Sequence, residues 1–139
     1  IVESGLEIAD LLLPEGTIVY LEDRNGERVY ENSDADCTPL PYVLLIDGGT
    51  ASTAEIVAAA IKDNKGGSLV GTNTFGKGIV QSIEKLTDNS GALQITIQQY
   101  FSPKGNTIHE VGVAPDYEVL FTENDTTDVQ LEKALSLLK

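Results

Sequence analysis

With 139 residues and 14.9 kDa, the chain has the length of one ordinary domain, and its 41% hydrophobic content is globular rather than disordered. Nine basic against 22 acidic residues give a net charge of −13 and a pI near 4.2, a surface that repels phosphate backbones and anionic bilayers. Nucleic-acid and membrane-surface binding are therefore poor readings. No apolar run approaches the ~20 residues of a spanning helix, a lone Cys37 excludes an internal disulfide, and a lone His109 leaves no believable zinc site. No cofactor is expected.

The chain has no Met, and apolar residues stand at helical spacing from its first turn with no capping residue before them. It reads as a fragment of a longer protein, with any targeting signal upstream. Val2–Leu13 is predicted as a helix with Leu6, Ala9 and Leu13 on one stripe, ended by Pro14. Thr17–Glu22 and Glu27–Glu31 flank Asp23-Arg24-Asn25-Gly26, a hairpin signal. Residues 32–38 form a polar, acidic loop. Tyr42–Ile46 is a continuous apolar run before Asp47-Gly48-Gly49, which suits a strand buried on both faces.

Thr53–Lys62 is a strong helix, ended by Asn64 and Gly66-Gly67, and Ser68–Val70 returns as a strand. Strand, tight turn, helix and strand make a βαβ unit, whose crossover is right-handed in nearly all proteins. Ile79–Leu86 and Ala92–Phe101 alternate on either side of Asp88-Asn89-Ser90-Gly91 and read as a second hairpin. Tyr117–Phe121 is a candidate edge strand and Asp128–Leu138 a closing amphipathic helix. The expected fold is one α/β domain over residues 1–139.

The βαβ turn holds the chemistry. Ser52 lies between a strand's carboxyl end and a helix amino end, where small neighbours admit a substrate backbone and free N–H groups can hold an oxyanion. Ser52-x-x-Glu55 is equally a capping box, the commoner use of that spacing. A serine nucleophile also needs a base. One candidate is Lys77, in Gly71-Thr72-Asn73-Thr74-Phe75-Gly76-Lys77-Gly78. A lysine in a glycine-bounded loop is usually solvated. Burial against an apolar wall, which Phe75 could supply, would lower its pKa enough to accept a hydroxyl proton. Gln81, four residues on, could orient the amine.

Two other readings compete for these residues. Gly71-x4-Gly76-Lys77 matches most of a phosphate-binding P-loop, but position 78 is Gly where Ser or Thr is required, and the following residues alternate like a strand. His109 is an alternative base for Ser52, although a lone loop histidine is usually solvated. The acidic segment 123–128 lacks calcium-loop spacing and reads as a turn in which Asp128 or Thr127 caps the last helix.

Three ordered motifs carry a resemblance: Gly49-Thr50-Ala51-Ser52-Thr53-Ala54-Glu55-Ile56, Thr74-Phe75-Gly76-Lys77-Gly78-Ile79-Val80-Gln81 and Gly112-Val113-Ala114-Pro115-Asp116. Together with 9–16 and 130–135, they resemble the carboxyl-terminal processing proteases, serine–lysine endopeptidases related to tail-specific protease. The resemblance implies a mixed sheet carrying the βαβ unit in a ClpP/crotonase-like spiral core. It also implies Ser52 as nucleophile, Lys77 as general base, Gln81 as its support and the Thr53 N–H as an oxyanion donor.

Two departures are Asp47 where the family favours Asn, and Thr53-Ala54 where Ala-Ser is usual. Neither removes a catalytic atom. Family members carry a PDZ domain and an Asn-Pro-Gly-Gly segment ahead of the opening helix, so the isolated chain is expected to have little activity. Polypeptides recognised through their carboxyl ends are the implied substrates, and an extracytoplasmic or cell-envelope parent the implied setting. The alternative from another class is a non-catalytic module that holds extended peptides along a sheet edge, with Ser52 as a cap and Lys77 as a surface charge.

Overall fold

A computed structural model describes residues 2–88 and 90–139; Asn89, in the predicted turn of the second hairpin, lies outside them. α1 (Val2–Leu12) buries Gly5 and Ala9, and Leu13 just beyond it is fully buried. β1 (Gly16–Asp23) and β2 (Arg28–Ser33) pair antiparallel, so the predicted acidic loop begins only after Ser33. Asp23 shapes the turn between them: its Oδ1 accepts the N–H groups of Asn25 at 2.8 Å and Glu27 at 2.9 Å.

β3 (Val43–Ile46), α2 (Thr53–Asn64) and β4 (Ser68–Gly71) form the predicted βαβ unit, with β3 and β4 parallel neighbours. α2 is apolar nearly all round. Residues 56–61 are all buried, as expected of a helix at the centre of a domain rather than on its surface. It packs against α1, β1 and β4. Its left-handed end residue is Lys65 (φ 57°), ahead of the predicted glycines, and Gly66 N–H closes the last turn on Ile61 C=O at 3.0 Å. Gly71 ends β4 at φ 134°, where a Cβ would overlap Ile46 O, so only glycine permits this close approach to β3.

β5 (Ile79–Lys85) and β6 (Ala92–Phe101) make the second hairpin. The strands sort into two sheets: an antiparallel one in the order β2-β1-β6-β5, and a parallel one in the order β3-β4-β7. β7 (Tyr117–Glu118) is shorter than predicted. α3 (Val129–Leu137) is capped by Asp128, whose Oδ1 accepts Leu131 N–H at 2.9 Å.

The core joins Ala9 and Leu13 of the first segment, Ile18 and Val19 of β1, residues 56–61 of α2, Leu69 and Tyr100. One expectation about it fails. β3 is an edge strand, and Leu45 is 42% exposed, so this run is not buried on both faces. The described residues expose 8741 Å², against ~7,000 Å² from the usual scaling for this mass. Part of the excess lies on the β5–β6 hairpin, where Ile83, Leu93, Ile95 and Ile97 are all exposed.

Candidate active site

The turn from β3 into α2 is built by Asp47. Its Oδ1 accepts the N–H groups of Gly49 at 2.9 Å and Thr50 at 3.0 Å, curling the chain toward the helix. Ser52 then takes φ 59° and ψ −123°, a conformation rare for a residue with a side chain. Such strain costs about 1–3 kcal/mol and persists only where the surroundings impose it. A sharp strand-to-helix turn of this kind lifts a side-chain oxygen clear of the backbone. The Ser52 hydroxyl makes no cap hydrogen bond of its own; the formed half of the capping box runs from Ser52 N–H to Glu55 Oε2, at 2.9 Å. Thr53 N–H has no acceptor among the described residues.

Glu55 is more than a cap. It is fully buried, and its two oxygens accept four donors. Oε1 takes Thr74 Oγ1–H at 2.6 Å and Gly76 N–H at 2.7 Å; Oε2 takes Lys77 N–H at 2.8 Å beside the Ser52 N–H. A single carboxylate thus joins the Ser52 turn to the loop that carries Lys77. Phe75 N–H adds a second tie, to Thr50 C=O at 2.9 Å. The loop is braced from behind by the third sequence motif: Val113 N–H donates to Thr74 Oγ1 at 2.7 Å, and Thr74 N–H to Val113 C=O at 3.1 Å.

Ser52, Thr53, Lys77 and Gln81 all line one cavity of about 400 Å³, walled by apolar residues that include Leu6, Val19, Ile56 and Ile79. Lys77 is exposed, and Phe75 is 67% exposed, so the predicted aromatic wall is absent; Tyr100 stands in the cavity instead. Among the described residues no hydrogen bond joins the Lys77 amine to Ser52 or Gln81. The Gln81 amide faces β6, accepting from Gln94 Nε2 at 2.7 Å and donating to Thr96 Oγ1 at 3.4 Å. Tyr100 is buried, its hydroxyl donates to Lys77 C=O, and it shares the cavity with Ser52. Burial pushes its phenol up to about 12.

The competing readings fare differently. Residues after Lys77 form β5 and not a helix, which removes the P-loop. His109 lines a different cavity from Ser52, with Glu22, Asp23 and Gln98, and its buried Nδ1 has no partner among the described residues. Glu55 and Tyr100 are the residues that sequence reasoning missed. A signal for Glu55 was available: an acidic residue directly before the apolar run 56–61 of the same helix.

Residues 1–119 match peptidase family S41. The chain belongs to that family. The carboxyl-terminal-processing protease of Synechocystis sp. is 42% identical over 146 residues, covering 99% of this chain and 34% of that protein. Carboxyl-terminal-processing peptidase 2, chloroplastic, of Arabidopsis thaliana is 44% identical over 117 residues, covering 82% of this chain and 22% of that protein. Among solved structures, a photosystem II D1 C-terminal processing protease superposes with a TM-score of 0.82 at 31% identity, over 99% of this chain and 35% of that one. This S41 chain therefore spans about a third of the Synechocystis protein and of the D1 protease chain. Both the family and the α/β fold with its βαβ unit agree with the sequence expectation.

Proposed function

We propose that residues 1–139 form the catalytic core of a serine endopeptidase in which Ser52 is the nucleophile and Lys77 the general base. The Ser52 hydroxyl attacks a peptide carbonyl, forming the Oγ–C bond, while its proton passes to the Lys77 amine. The oxyanion is held by Thr53 N–H, at the positive end of α2. Lys77 then protonates the leaving amine, and water cleaves the acyl-enzyme by the same route. Gln81 supports the amine once it turns from Gln94.

The observation that carries the reading is the Glu55 bridge, which fixes the main chain of Ser52 and of Lys77 on one cavity. Strain at Ser52 and an unused N–H at Thr53 support it. The substrates are polypeptides entered from their carboxyl ends, in keeping with the names of the relatives. The setting is extracytoplasmic or lumenal, given relatives that are bacterial or chloroplastic. Residues 1–139 act as one protease-core domain that works fully only with further segments of a longer protein, so the isolated piece cleaves poorly. Replacing Ser52 by Ala in the full-length protein abolishes peptide cleavage; undiminished cleavage overturns the assignment.

A second reading has its own observation. An exposed Lys77 and a Gln81 engaged with Gln94 suit a module that only holds extended peptides. Equal peptide binding by the wild type and Lys77→Ala, with neither acylated by a serine-directed probe, would favour it.

A further inference from the structure

Tyr100 is the buried polar group at this site that the mechanism leaves without a task. It is 3% exposed and stands near the end of β6, where its N–H donates to Gly78 C=O at 3.0 Å. Its hydroxyl reaches the carbonyl of Lys77, and Ser52 lines the same cavity. A phenol carries one hydrogen and a carbonyl can only accept, so that hydrogen goes to Lys77.

We propose that Tyr100 is a positioning residue that holds the base in register with the nucleophile, pinning the Lys77 main chain with its hydrogen. The inference rests on the Ser52–Lys77 reading above. The Lys77 backbone is then gripped at its N–H by Glu55 and at its C=O by Tyr100, which leaves only the side chain free to move. On attack, the Ser52 proton passes to the Lys77 amine. Tyr100 keeps its own proton throughout, as a phenol pushed up to about 12 does at any working pH. A phenylalanine would fill the same volume and leave the Lys77 carbonyl unheld.

The test is Tyr100→Phe in the full-length protein, labelled with a fluorophosphonate while both the rate and the final extent of Ser52 adduct are followed. The expected result is full labelling at a rate about 10- to 100-fold slower, with kcat for a peptide reduced and KM unchanged. A purely structural tyrosine would instead reduce the extent of labelling and leave the rate of the remaining fraction intact. That outcome, or a rate within about twofold of wild type, overturns the proposal. As a control on folding, 3-fluorotyrosine at position 100 keeps the hydroxyl and restores the wild-type rate; labelling as slow as in Tyr100→Phe also overturns it. Failure of the underlying reading looks different, because the wild type itself would then form no adduct at Ser52.

Discussion

Glu55 Oε2 lies 2.8 Å from the amide nitrogen of Lys77, a residue 22 positions away in sequence, and is the same oxygen that accepts the Ser52 N–H. Geometry at the site therefore depends on a buried side chain that need not touch substrate. Glu55→Gln replaces one acceptor oxygen with an NH₂ group, which turns a donor toward donors. Breaking a buried network of charge-assisted hydrogen bonds costs about 3–5 kcal/mol. Urea unfolding should show a loss of that order, and Glu55→Asp, too short to span both loops, should recover little of it.

Ser52→Ala tests by stability whether the hydroxyl caps α2. If the hydroxyl capped α2, its removal would cost about 0.5–2 kcal/mol. Because the cap bond here is the main-chain N–H to Glu55, the loss should stay within about 0.5 kcal/mol. Ser52→Gly should stabilise the fold relative to Ser52→Ala by about 1 kcal/mol, since glycine adopts φ 59° without strain. Chemical denaturation of the three proteins checks both statements.

α1 meets the amino end of α2 at Gly5, where a Cβ would overlap Thr53 Cγ2. Gly5→Ala should therefore destabilise by about 1–3 kcal/mol through overpacking, despite a gain of about 1 kcal/mol in helix propensity. Thr53→Ser removes Cγ2 and keeps both the hydroxyl and the N–H. In the double mutant the clash is gone and the propensity gain remains, so stability should return to at least the wild-type level. A double-mutant cycle measures that coupling; simple additivity would contradict the contact.

The Tyr100 phenol is raised from 10.0 in the unfolded chain to about 12 in the fold, chiefly by burial. A raised folded value means that the unfolded chain gives up its proton first. The stabilisation is complete below pH 10 and is lost as pH climbs from 10 to about 12. Thermal unfolding across that range should steepen its decline in the wild type more than in Tyr100→Phe. A parallel decline in the two proteins would show that another group governs alkaline unfolding.

The sequence displayed the βαβ unit because its signals are local: an apolar run, a glycine-rich turn, then a helix of Ala, Ile and Val. It displayed Ser52, Lys77 and Gln81 because they stand within ordered motifs. The partners of Glu55 were not legible, since they lie 19–22 residues away and its Ser52-x-x-Glu55 spacing already had a sufficient local explanation. Tyr100 was hidden because only the β5–β6 pairing brings it beside Gly78. Phe75 was misjudged for the converse reason: adjacency in sequence to Lys77 does not put a ring against its amine. Exposure of β3 depends on which strands flank it, and an apolar run alone does not encode its neighbours.

The central claim is that Ser52 is a nucleophile activated by Lys77. The most direct measurement is mass-spectrometric mapping of fluorophosphonate labelling in the full-length protein, comparing wild type with Lys77→Ala across pH. The account predicts a single adduct on Ser52 in the wild type and a rate at least about 100-fold lower in Lys77→Ala, the scale of a lost general base. No adduct on Ser52, or an equal rate without Lys77, would contradict it.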